Sequence, residues 1–529
     1  MLSRREFLLT SLATSATAIT GCRRSADVSR SADCGNSAEC YTRMFPQLAR
    51  PPHAEIEEGL RKLGELMEDD DSGDNSPTVT AGYTYFGQFI DHDLTLDITP
   101  LEEAHPAVEQ IRNLRTPSLD LDHVYAGGPT VSPFLYDANS PHEAERFLVG
   151  GMCDRANAGV PKRDDLPRNA NGIALVGDPR QDENLIIAQL HVAFLKFHNR
   201  VITELAKSKQ RAVESVGPAG ASLFRQAQQL VQWHYQYVVI NDFLASLVRR
   251  DILDQALQPS KMRPAAPSNF RMPVEFSAAA FRFGHSMVRD VYGFFNDDHF
   301  GVDLRCLLAL TGPGSKHIAQ ECDVIPCASD PSFALPSDWK IDWSHFFMLS
   351  EHRPQVNAAR KIDIRIARGL HNLKLETVKQ FNKAVAQQGA DLVPPTNRLP
   401  VRTLWRGARM GLPTGQDVAK ELHFECLDSD SQIATGTPEQ VLREYGLHRE
   451  TPLWYYVLKE AELLGWTGPN GHQQLGPVGS RIVAEVVIGA IRACPDSYLV
   501  VNPSWQPTLA GKPVTTIGNI LEFVAAGDA

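Results

Sequence analysis

Apolar residues recur every three or four positions in six stretches beyond residue 180, and this spacing predicts helices. The stretches are Leu185–Leu205, Ala221–Leu247, Thr377–Gln387, Pro438–Tyr445, Pro452–Leu464 and Gly479–Arg492. The strict alternation of apolar and polar residues that is typical of strands is scarce. No internal repeat and no clear linker interrupts the chain after residue 80. We therefore predict a mainly α fold, in which residues 78–529 form a single large helical domain with little β-structure.

A further helical segment, Tyr83–Asp97, combines apolar residues with several polar ones. In a helix, Gln88 lies three residues before Asp91 and four before His92, so these three side chains share one face. Asp93 follows His92 directly and is rotated from it by about 100°. One turn of this helix can therefore present an imidazole and an amide to one pocket and a carboxylate to another.

The alternative interpretation of this segment is an ordinary amphipathic core helix whose aspartates are solvated. Its buried residues would then be Phe86, Phe89 and Ile90. An isolated histidine on such a helix is commonly a hydrogen-bonded residue without a catalytic role. Only the rest of the sequence can separate the two interpretations.

The N-terminus has the features of an export signal. Ser3–Leu8 carries a twin arginine and leads into an apolar segment, Leu8–Ile19, which is too short for a lasting membrane helix. Ile19–Cys22 fits a lipobox, in which Cys22 would be lipidated; the competing interpretation is cleavage after Ala16–Ala18. We predict that residues 1–22 are a signal and that the protein is exported to the periplasm or cell surface, with lipid anchoring through Cys22 as the favoured outcome.

Residues 23–77 are rich in Ser, Asp, Pro and Gly, and they include the acidic run Glu68–Asp71. This composition predicts a flexible N-terminal arm that wraps the surface. No internal apolar run approaches the roughly 20 residues needed to span a bilayer.

Overall composition narrows the possible partners. The 529 residues are 43% hydrophobic and 22% charged, as in an ordinary globular protein, and the formal net charge is -11. An acidic chain of this kind is a poor partner for nucleic acid, which needs a basic face. Among nine cysteines, the pairs Cys34 with Cys40 and Cys322 with Cys327 are close enough for short disulfide loops. No Cys-x-x-Cys pair is present, so a structural zinc site is not expected.

The segment Arg115–Tyr125 carries an oxygen-bearing side chain at every second position. These residues are Thr116, Ser118, Asp120 and Asp122. Alternating oxygen donors on a tight loop suit a hard cation such as calcium, and Asp93 could add a carboxylate. A solvated acidic loop explains the spacing equally well.

Three more segments carry candidate chemistry. Arg180 and Glu183 lie three apart before the Leu185–Leu205 helix, so both can face one cavity or form surface ion pairs. His285 lies on an apolar helical face beside Gly284, which would let a flat ligand approach the backbone. A basic segment contains three arginines that are either solvated or close to buried anions: Arg402, Arg406 and Arg409.

Five motifs in a characteristic order resemble the animal-type haem peroxidases of the peroxidase-cyclooxygenase superfamily, in particular its bacterial members. They are Gly87–Asp93, Thr116–Asp122, Gly177–Glu183, Phe281–His285 and Leu475–Glu485. Each motif is weak alone, whereas the five together, spread over about residues 78 to 510, are specific.

The resemblance implies haem b, with His285 as the proximal iron ligand and His92 as the distal base that moves a proton between the peroxide oxygens. It implies that Arg180 stabilises charge on the departing oxygen and that Gln88 positions water or a halide. The remaining expected haem contacts are two carboxylates that can form haem esters, Asp91 and Glu183, and two arginines at the propionates, Arg282 and Arg406. The calcium ligands it implies are Asp93, Thr116, Ser118, Asp120 and Asp122.

The sequence departs from the family pattern at three positions, and the first two limit this transfer. Asn184 stands where the strongest halide oxidisers carry a haem-linked Met, so chloride oxidation is not expected. Thr403 stands where an Asn usually bonds the proximal imidazole, which leaves the basicity of His285 open. Asp122 replaces a Ser of the mammalian members, which keeps an oxygen donor and adds charge.

The sequence thus predicts a peroxidase that reduces hydrogen peroxide and oxidises a small aromatic or phenolic donor or an easily oxidised halide or pseudohalide. Two alternatives remain. Fatty-acid dioxygenation needs a radical-forming Tyr three residues before the proximal His, where this chain has Arg282. A surface-anchored scaffold without activity would have no reason to keep unpaired polar groups in a cavity. The sequence leaves the donor and the oligomeric state undefined.

Overall fold

The computed structural model describes residues 39–51, 56–69, 74–99, 107–140, 145–153, 163–209, 222–258, 260, 270–311, 335–350, 355–373, 397–467 and 472–527. All the described residues belong to one compact unit, residues 34–529. The predicted signal, with Cys22, lies outside the described residues, and export therefore stays a prediction.

The described part of the chain is mainly α-helical, as predicted. The α-helices are α1 (Glu57–Glu65), α2 (Gly82–Leu94), α3 (Asp122–Tyr125), α4 (Gly128–Val131), α5 (Leu185–Lys209), α6 (Leu223–Val238), α7 (Ala245–Leu247), α8 (Arg250–Ala256), α9 (Val274–Ser277), α10 (Leu304–Ala309), α11 (Leu399–Arg409), α12 (Gly415–Glu421), α13 (Glu439–Glu444), α14 (Leu453–Leu464), α15 (Pro477–Ala493), α16 (Tyr498–Val501) and α17 (Ile517–Ala525).

The strands are short. They are β1 (Asn75–Thr80), β2 (Val291–Phe294), β3 (Phe300–Asp303), β4 (Ala358–Arg360), β5 (Trp466–Thr467), β6 (His472–Gln473), β7 (Thr508–Leu509) and β8 (Lys512–Pro513). They pair as two-stranded antiparallel sheets, β1 with β4, β2 with β3, β5 with β6 and β7 with β8.

The predicted helical stretches that fall on described residues all form helices. Four of them appear as α5, α13, α14 and α15 within a few residues of the expected bounds. The stretch Ala221–Leu247 forms α6, then a π-helical turn over Val239–Leu244, then α7. The stretch Thr377–Gln387 lies outside the described residues.

The core centres on helices that are apolar on more than one side. In α15, 13 of the residues are buried, so this helix runs through the interior. Helix α2 packs its Phe86 and Phe89 rings against Tyr235 of α6, and Phe89 also stacks on Phe194 of α5 with ring centroids 4.5 Å apart. This packing fixes α2, and with it the polar face that carries His92.

The described part of the predicted N-terminal arm belongs to the core, which corrects the interpretation of residues 23–77 as flexible. Tyr41 and Phe45 are buried, and so are Leu60 and Leu63 on one face of α1. The Nε1 atom of Trp405 in α11 donates to the Glu57 carbonyl oxygen at 2.9 Å. The polar composition, averaged over the whole segment, hid a short amphipathic helix. Residues 23–38 lie outside the described residues.

Among the described residues, no helix combines the length and the apolar character needed to cross a bilayer.

The cysteines of the described ranges differ in state. Cys40, Cys153 and Cys306 are disulfide-bonded, and Cys426 and Cys494 are free thiols. The predicted partner of Cys40, Cys34, lies outside the described residues, as do Cys322 and Cys327, so both predicted pairings stay predictions.

Candidate functional site

Helix α2 presents polar side chains to two different places, as the spacing predicted. Gln88, Asp91 and His92 line one cavity, whereas Asp93 is fully buried on another side and contacts Nδ1 of His123 at 2.9 Å. The apolar residues of the helix are buried as the alternative interpretation required, but Asp93 is not solvated. The helix is therefore both a core element and a carrier of site residues.

The cavity has a volume of about 410 Å³, within the range of roughly 300–1,000 Å³ that is usual for ligand pockets. The parts of the chain that line it include α2, the turn that precedes α5, the segment around His285 and α11. The sequence-predicted residues that it brings together are Gln88, Asp91, His92, Arg180, Glu183, Arg282, His285 and Arg406.

The His92 imidazole is held from two sides. Its Nδ1 lies 3.1 Å from Nε2 of Gln181, and its Nε2 lies 3.4 Å from Oε1 of Glu183. Glu183 Oε1 also accepts a hydrogen bond from Nε2 of Gln88, whose own Oε1 accepts from Asn184 Nδ2 at 3.3 Å. His92 is only 3% exposed, so the orientation of its ring is set by these contacts.

Arg180 is fixed by Asp178, a residue that the sequence analysis did not single out. Both lie in the segment of the 3₁₀ turn Pro179–Asp182, where Asp178 accepts from the Arg180 backbone N at 2.9 Å and from Nη2 at 2.8 Å. Arg180 Nη2 also donates to the carbonyl oxygens of Thr95 at 2.6 Å and His92 at 3.2 Å. Burial alone would raise the pKa of Asp178, but the guanidinium of Arg180 holds this pKa well below its usual range.

We expect Asp178→Ala to lower the free energy of unfolding by about 3 kcal/mol, because removing one partner leaves the other charge buried and uncompensated. Urea denaturation followed by circular dichroism measures this change. Asp303→Ala is a matched control, because Asp303 caps α10 and binds Nε and Nη2 of Arg305 at 3.0 and 2.9 Å in the same Asp-x-Arg arrangement at the surface. Asp303→Ala is expected to lower the free energy of unfolding by about 1 kcal/mol. Equal losses in both variants would contradict the prediction.

His285 approaches the cavity from a different part of the chain. It lies in a 3₁₀ helix, Ala280–Met287, and burial lowers its pKa to about 3, so the ring is neutral at physiological pH. Its Nδ1 is buried and has no hydrogen-bond partner among the described residues. Thr403 on α11 stands where the resemblance places an Asn that bonds this imidazole. Its Oγ1 donates instead to the Leu399 carbonyl oxygen of its own helix at 3.0 Å.

The space around His285 suits a flat ligand held by a neutral imidazole. A Cβ atom placed on Gly284 would meet no atom within 4 Å, so the backbone there is open to a ligand. The ring of Trp454 packs edge-on against the imidazole with centroids 6.0 Å apart, and its Nε1 donates to the Arg282 carbonyl oxygen at 3.1 Å. This indole therefore restrains the segment that carries the imidazole.

Besides Arg180, two further arginines line the cavity. Arg282 donates from Nε to the Ser277 carbonyl oxygen at 2.9 Å, and burial lowers its pKa. Arg406 Nη2 lies 3.8 Å from the carboxylate of Asp97 and donates to the Thr99 carbonyl oxygen at 2.5 Å. Two guanidinium groups at one cavity suit the carboxylates of an anionic ligand.

The oxygen-rich loop folds onto Asp93. The backbone N of Leu121 donates to Asp93 Oδ2 at 3.2 Å, and Leu121 has a left-handed backbone with φ of 60° that lets the loop turn there. Ser118 Oγ donates to Asp120 Oδ2 at 3.0 Å, and the backbone N of Thr116 donates to Asp122 Oδ2 at 2.9 Å. The loop thus brings Asp122 close to the buried carboxylate of Asp93, whereas Thr116 is exposed.

The charge on this loop fits a bound cation. Burial raises the pKa of Asp93 to about 7, and burial together with repulsion from Asp93 raises the pKa of Asp120 and Asp122 to about 7. Arg115, 3.4 Å from Asp122, is a single positive group beside three carboxylates. A divalent ion with oxygen ligands would remove this imbalance. His123, whose ring contacts Asp93, would orient that ligand.

We expect the contribution of Asp93, Asp120 and Asp122 to the stability of metal-free protein to fall as the pH rises from about 4 to about 7. In the fold the three carboxyl groups keep their protons up to about pH 7, whereas in the unfolded chain an aspartate loses its proton near pH ~4, so the unfolded chain gains relative stability over this window. Calcium needs the ionised carboxylates, so the increase in Tm on adding calcium should be larger at pH 8 than at pH 5. Melting curves with calcium and with a chelator test this. Asp122→Asn should reduce the calcium effect, and an equal calcium effect at both pH values would contradict the prediction.

Three residues that contribute to the site were not predicted from the sequence. Gln181 and Asp178 flank Arg180 within one 3₁₀ turn, and Arg115 lies 3.7 Å from Asp178 as well as beside Asp122. The local pattern Asp178-x-Arg180 was visible as an N-cap signal. No sequence pattern indicated that Gln181 would contact an imidazole 89 positions earlier.

Comparisons with known proteins identify similar sequences and similar folds. A model of the animal haem peroxidase family matches residues 102–311. Peroxidasin homolog pxn-2 of Caenorhabditis elegans is 22% identical over 296 residues, which cover 43% of this chain and 22% of that protein. Thyroid peroxidase of Homo sapiens is 25% identical over 199 residues, which cover 36% of this chain and 20% of that protein. The matches therefore span about a fifth of each of these relatives.

Solved structures share the fold over most of the chain. Peroxidase A from Dictyostelium discoideum superposes with a TM-score of 0.58 at 16% identity and covers 93% of both chains. The fatty acid alpha-dioxygenase of Oryza sativa superposes with a TM-score of 0.54 at 12% identity, covering 89% of this chain and 76% of that one. At these identities the structures establish the fold alone. The family match over residues 102–311, the peroxidase relatives and the shared fold show that this chain is similar to the animal haem peroxidases.

Proposed function

We propose that this protein is a haem peroxidase that reduces hydrogen peroxide and oxidises a small aromatic or phenolic donor, or an easily oxidised anion such as iodide, bromide or thiocyanate. The family binds haem and, in general, calcium. The observation that carries the proposal is the convergence of His92, Arg180 and His285 on one cavity from three distant parts of the chain. Export by the predicted signal is part of the same proposal and rests on sequence alone.

The residues present fit haem b. His285 would hold the iron through its neutral imidazole, Arg282 and Arg406 would bind the propionates, and Asp91 and Glu183 are the carboxylates available for ester links. When bound there, haem would supply the iron that exchanges electrons with peroxide and with the donor. The protein supplies the rest of the chemistry.

On the distal side, each residue has a separate task in this proposal. His92 takes a proton from one peroxide oxygen and returns it to the departing oxygen, which leaves as water. The guanidinium of Arg180, held by Asp178, stabilises the negative charge that develops as the O–O bond breaks. Gln88 donates to Glu183 and so holds the amide beside the imidazole, where it can position water or an anion.

The proposed calcium site would hold in place the end of α2 that carries His92. Asp93 follows His92 in α2, and the proposed ligands Thr116, Ser118, Asp120 and Asp122 would tie that end of the helix to the loop. Loss of the metal would therefore disturb the orientation of His92 as well as the loop.

The fold shared with fatty acid alpha-dioxygenase does not favour dioxygenation here. Arg282 stands three residues before His285, and its guanidinium cannot lose a hydrogen atom as a phenol can. Oxygen uptake with a fatty acid and without added peroxide would reverse this preference.

An absorption spectrum with a peroxide titration tests the proposal. Haem-loaded protein is expected to shift its Soret band rapidly on adding peroxide and to recover it as phenols or halides are oxidised. A panel that includes a phenol, iodide, bromide, thiocyanate and chloride would identify the donor class, with chloride expected to be the poorest. A spectrum that peroxide leaves unchanged would overturn the proposal, and purified protein that takes up no haem would favour a scaffold.

A further inference from the structure

Gln181 is a fully buried side chain whose described contact at the site is with the imidazole of His92. It is 0% exposed and is not among the described residues that line the cavity. Its Nε2 lies 3.1 Å from Nδ1 of His92, and its Oε1 is buried without a hydrogen-bond partner among the described residues. Gln181 can therefore influence chemistry in the cavity only through the imidazole.

The two nitrogens of the His92 ring face different surroundings. Nδ1 faces the buried amide of Gln181, and Nε2 lies 3.4 Å from Oε1 of Glu183, a residue that lines the cavity. A neutral imidazole carries its hydrogen on one nitrogen, and the hydrogen bond made by the other nitrogen decides which. The amide of Gln181 is thus in the place that controls whether Nε2 presents a hydrogen or a lone pair to the cavity.

The amide has a donor end and an acceptor end, and a half-turn about its terminal bond exchanges them. With Nε2 toward His92, Gln181 donates to Nδ1, so the ring hydrogen lies on Nε2 and points to Glu183. With Oε1 toward His92, the oxygen that otherwise has no partner accepts from Nδ1–H, and Nε2 keeps its lone pair. Each orientation leaves one amide atom without a partner, so the protein interior alone does not lock the amide.

We propose that Gln181 is a positioning residue for the proposed reaction, which sets the imidazole of His92 so that Nε2 can accept a proton from peroxide. This inference rests on the proposed function. With the Gln181 oxygen holding Nδ1–H, the proton moves from peroxide to Nε2 and then to the departing oxygen, so His92 ends the step unchanged. With the amide reversed, Nε2 already carries a hydrogen and cannot accept another.

Two substitutions at Gln181 separate hydrogen bonding from packing. Gln181→Met keeps the length of the side chain and removes the hydrogen bond. We expect its second-order rate constant with peroxide to fall about tenfold to a hundredfold, as for other residues that orient a functional imidazole. Gln181→Glu presents only oxygen acceptors, so it can hold Nδ1–H and is expected to keep most of the parent rate. Stopped-flow Soret changes give these rates, and the later step, in which protein already oxidised by peroxide reacts with the donor, should keep its parent rate constant in both variants.

Cyanide binding supplies a readout other than turnover. Hydrogen cyanide must give its proton to a base as the anion binds, so Gln181→Met should weaken the cyanide affinity of the haem-loaded protein by a similar factor. Gln189→Met is the matched control, because Gln189 is a buried glutamine on α5 whose Nε2 donates to the Asp164 carbonyl oxygen at 2.7 Å, outside the cavity. This control should keep the parent rate and the parent affinity.

The outcomes distinguish this inference from the proposed function. If the haem-loaded parent does not react with peroxide, the proposed function fails. If the parent reacts and Gln181→Met matches Gln189→Met in both rate and cyanide affinity, the role of Gln181 is overturned. A Gln181→Glu variant as slow as Gln181→Met would show that packing, rather than an oxygen acceptor, is what His92 requires, and this too would overturn the inference. Recovery in Gln181→Glu together with loss in Gln181→Met supports it.

Discussion

His285→Ala is expected to give a folded protein that no longer holds haem iron in the cavity. The ring of His285 makes no hydrogen bond through Nδ1 to any described residue, so its removal should disturb little of the surrounding structure. Burial lowers the pKa of His285 to about 3, which keeps the imidazole neutral and available as a ligand. Without it, only the two arginines and the carboxylates remain to hold the porphyrin. Iron content per chain and Soret absorbance, together with far-ultraviolet circular dichroism, measure the effect.

A second buried histidine provides the control for this change. His234 is 0% exposed, contacts the Leu230 carbonyl oxygen through Nδ1 at 2.7 Å, and lies on α6 outside the cavity. His234→Ala is expected to keep the parent haem content at a temperature where both variants are folded. A properly folded His285→Ala protein that retains its full complement of iron and an unaltered spectrum would contradict the proximal role.

Helix α2, which carries His92, could be predicted because the spacing of its polar residues depends only on neighbouring positions in the sequence. The three- and four-residue spacings that relate Gln88, Asp91 and His92 are properties of any α-helix, and the helix Gly82–Leu94 has the predicted type and nearly the predicted bounds. The rotation that sends Asp93 to another pocket follows from the same geometry. The mainly α fold was predictable for a similar reason, since apolar periodicity survives in long helices such as α5 and α15.

What could not be predicted depends on contacts between distant parts of the chain. Gln181 contacts His92 across 89 positions, and the side chain at that position carries no periodic or compositional signal. The burial of the N-terminal segment was not predicted for a different reason. Leu60 and Leu63 are two apolar residues among many polar ones, and they become part of the core only because α11 packs against α1. His285 lies in a 3₁₀ helix, which a short apolar pattern does not distinguish from an α-helix.

The oxygen-rich loop Thr116–Asp122 is linked to His92 and Arg180 by two routes that only the structure shows together. One route is the peptide that joins Asp93 to His92 within α2. The other runs through Arg115, which lies 3.4 Å from Asp122 and 3.7 Å from Asp178, the residue that fixes Arg180. A change in the charge of the loop is therefore expected to reach both the imidazole and the guanidinium of the cavity.

His92→Ala is expected to keep haem and to lose the rapid reaction with peroxide. General acid–base catalysis by a positioned imidazole typically contributes about 10²–10⁴-fold, so the second-order rate constant should fall by a factor in this range. Removal of the His92 side chain leaves the other cavity residues His285, Arg282 and Arg406 in place. Stopped-flow measurement of the Soret change at several peroxide concentrations gives the rate constant, and the haem content confirms that binding is intact.

His92→Gln separates the proton transfer from the filling of space. A glutamine there can still hydrogen-bond with Glu183 and Gln181, the two described partners of the imidazole, but its amide cannot take up and return a proton near neutral pH. We therefore expect His92→Gln to be nearly as slow as His92→Ala, although its fold and haem content should match those of the parent. If either variant reacts with peroxide as fast as the parent, the proton must move by another group, and the assignment of His92 as the distal base is wrong.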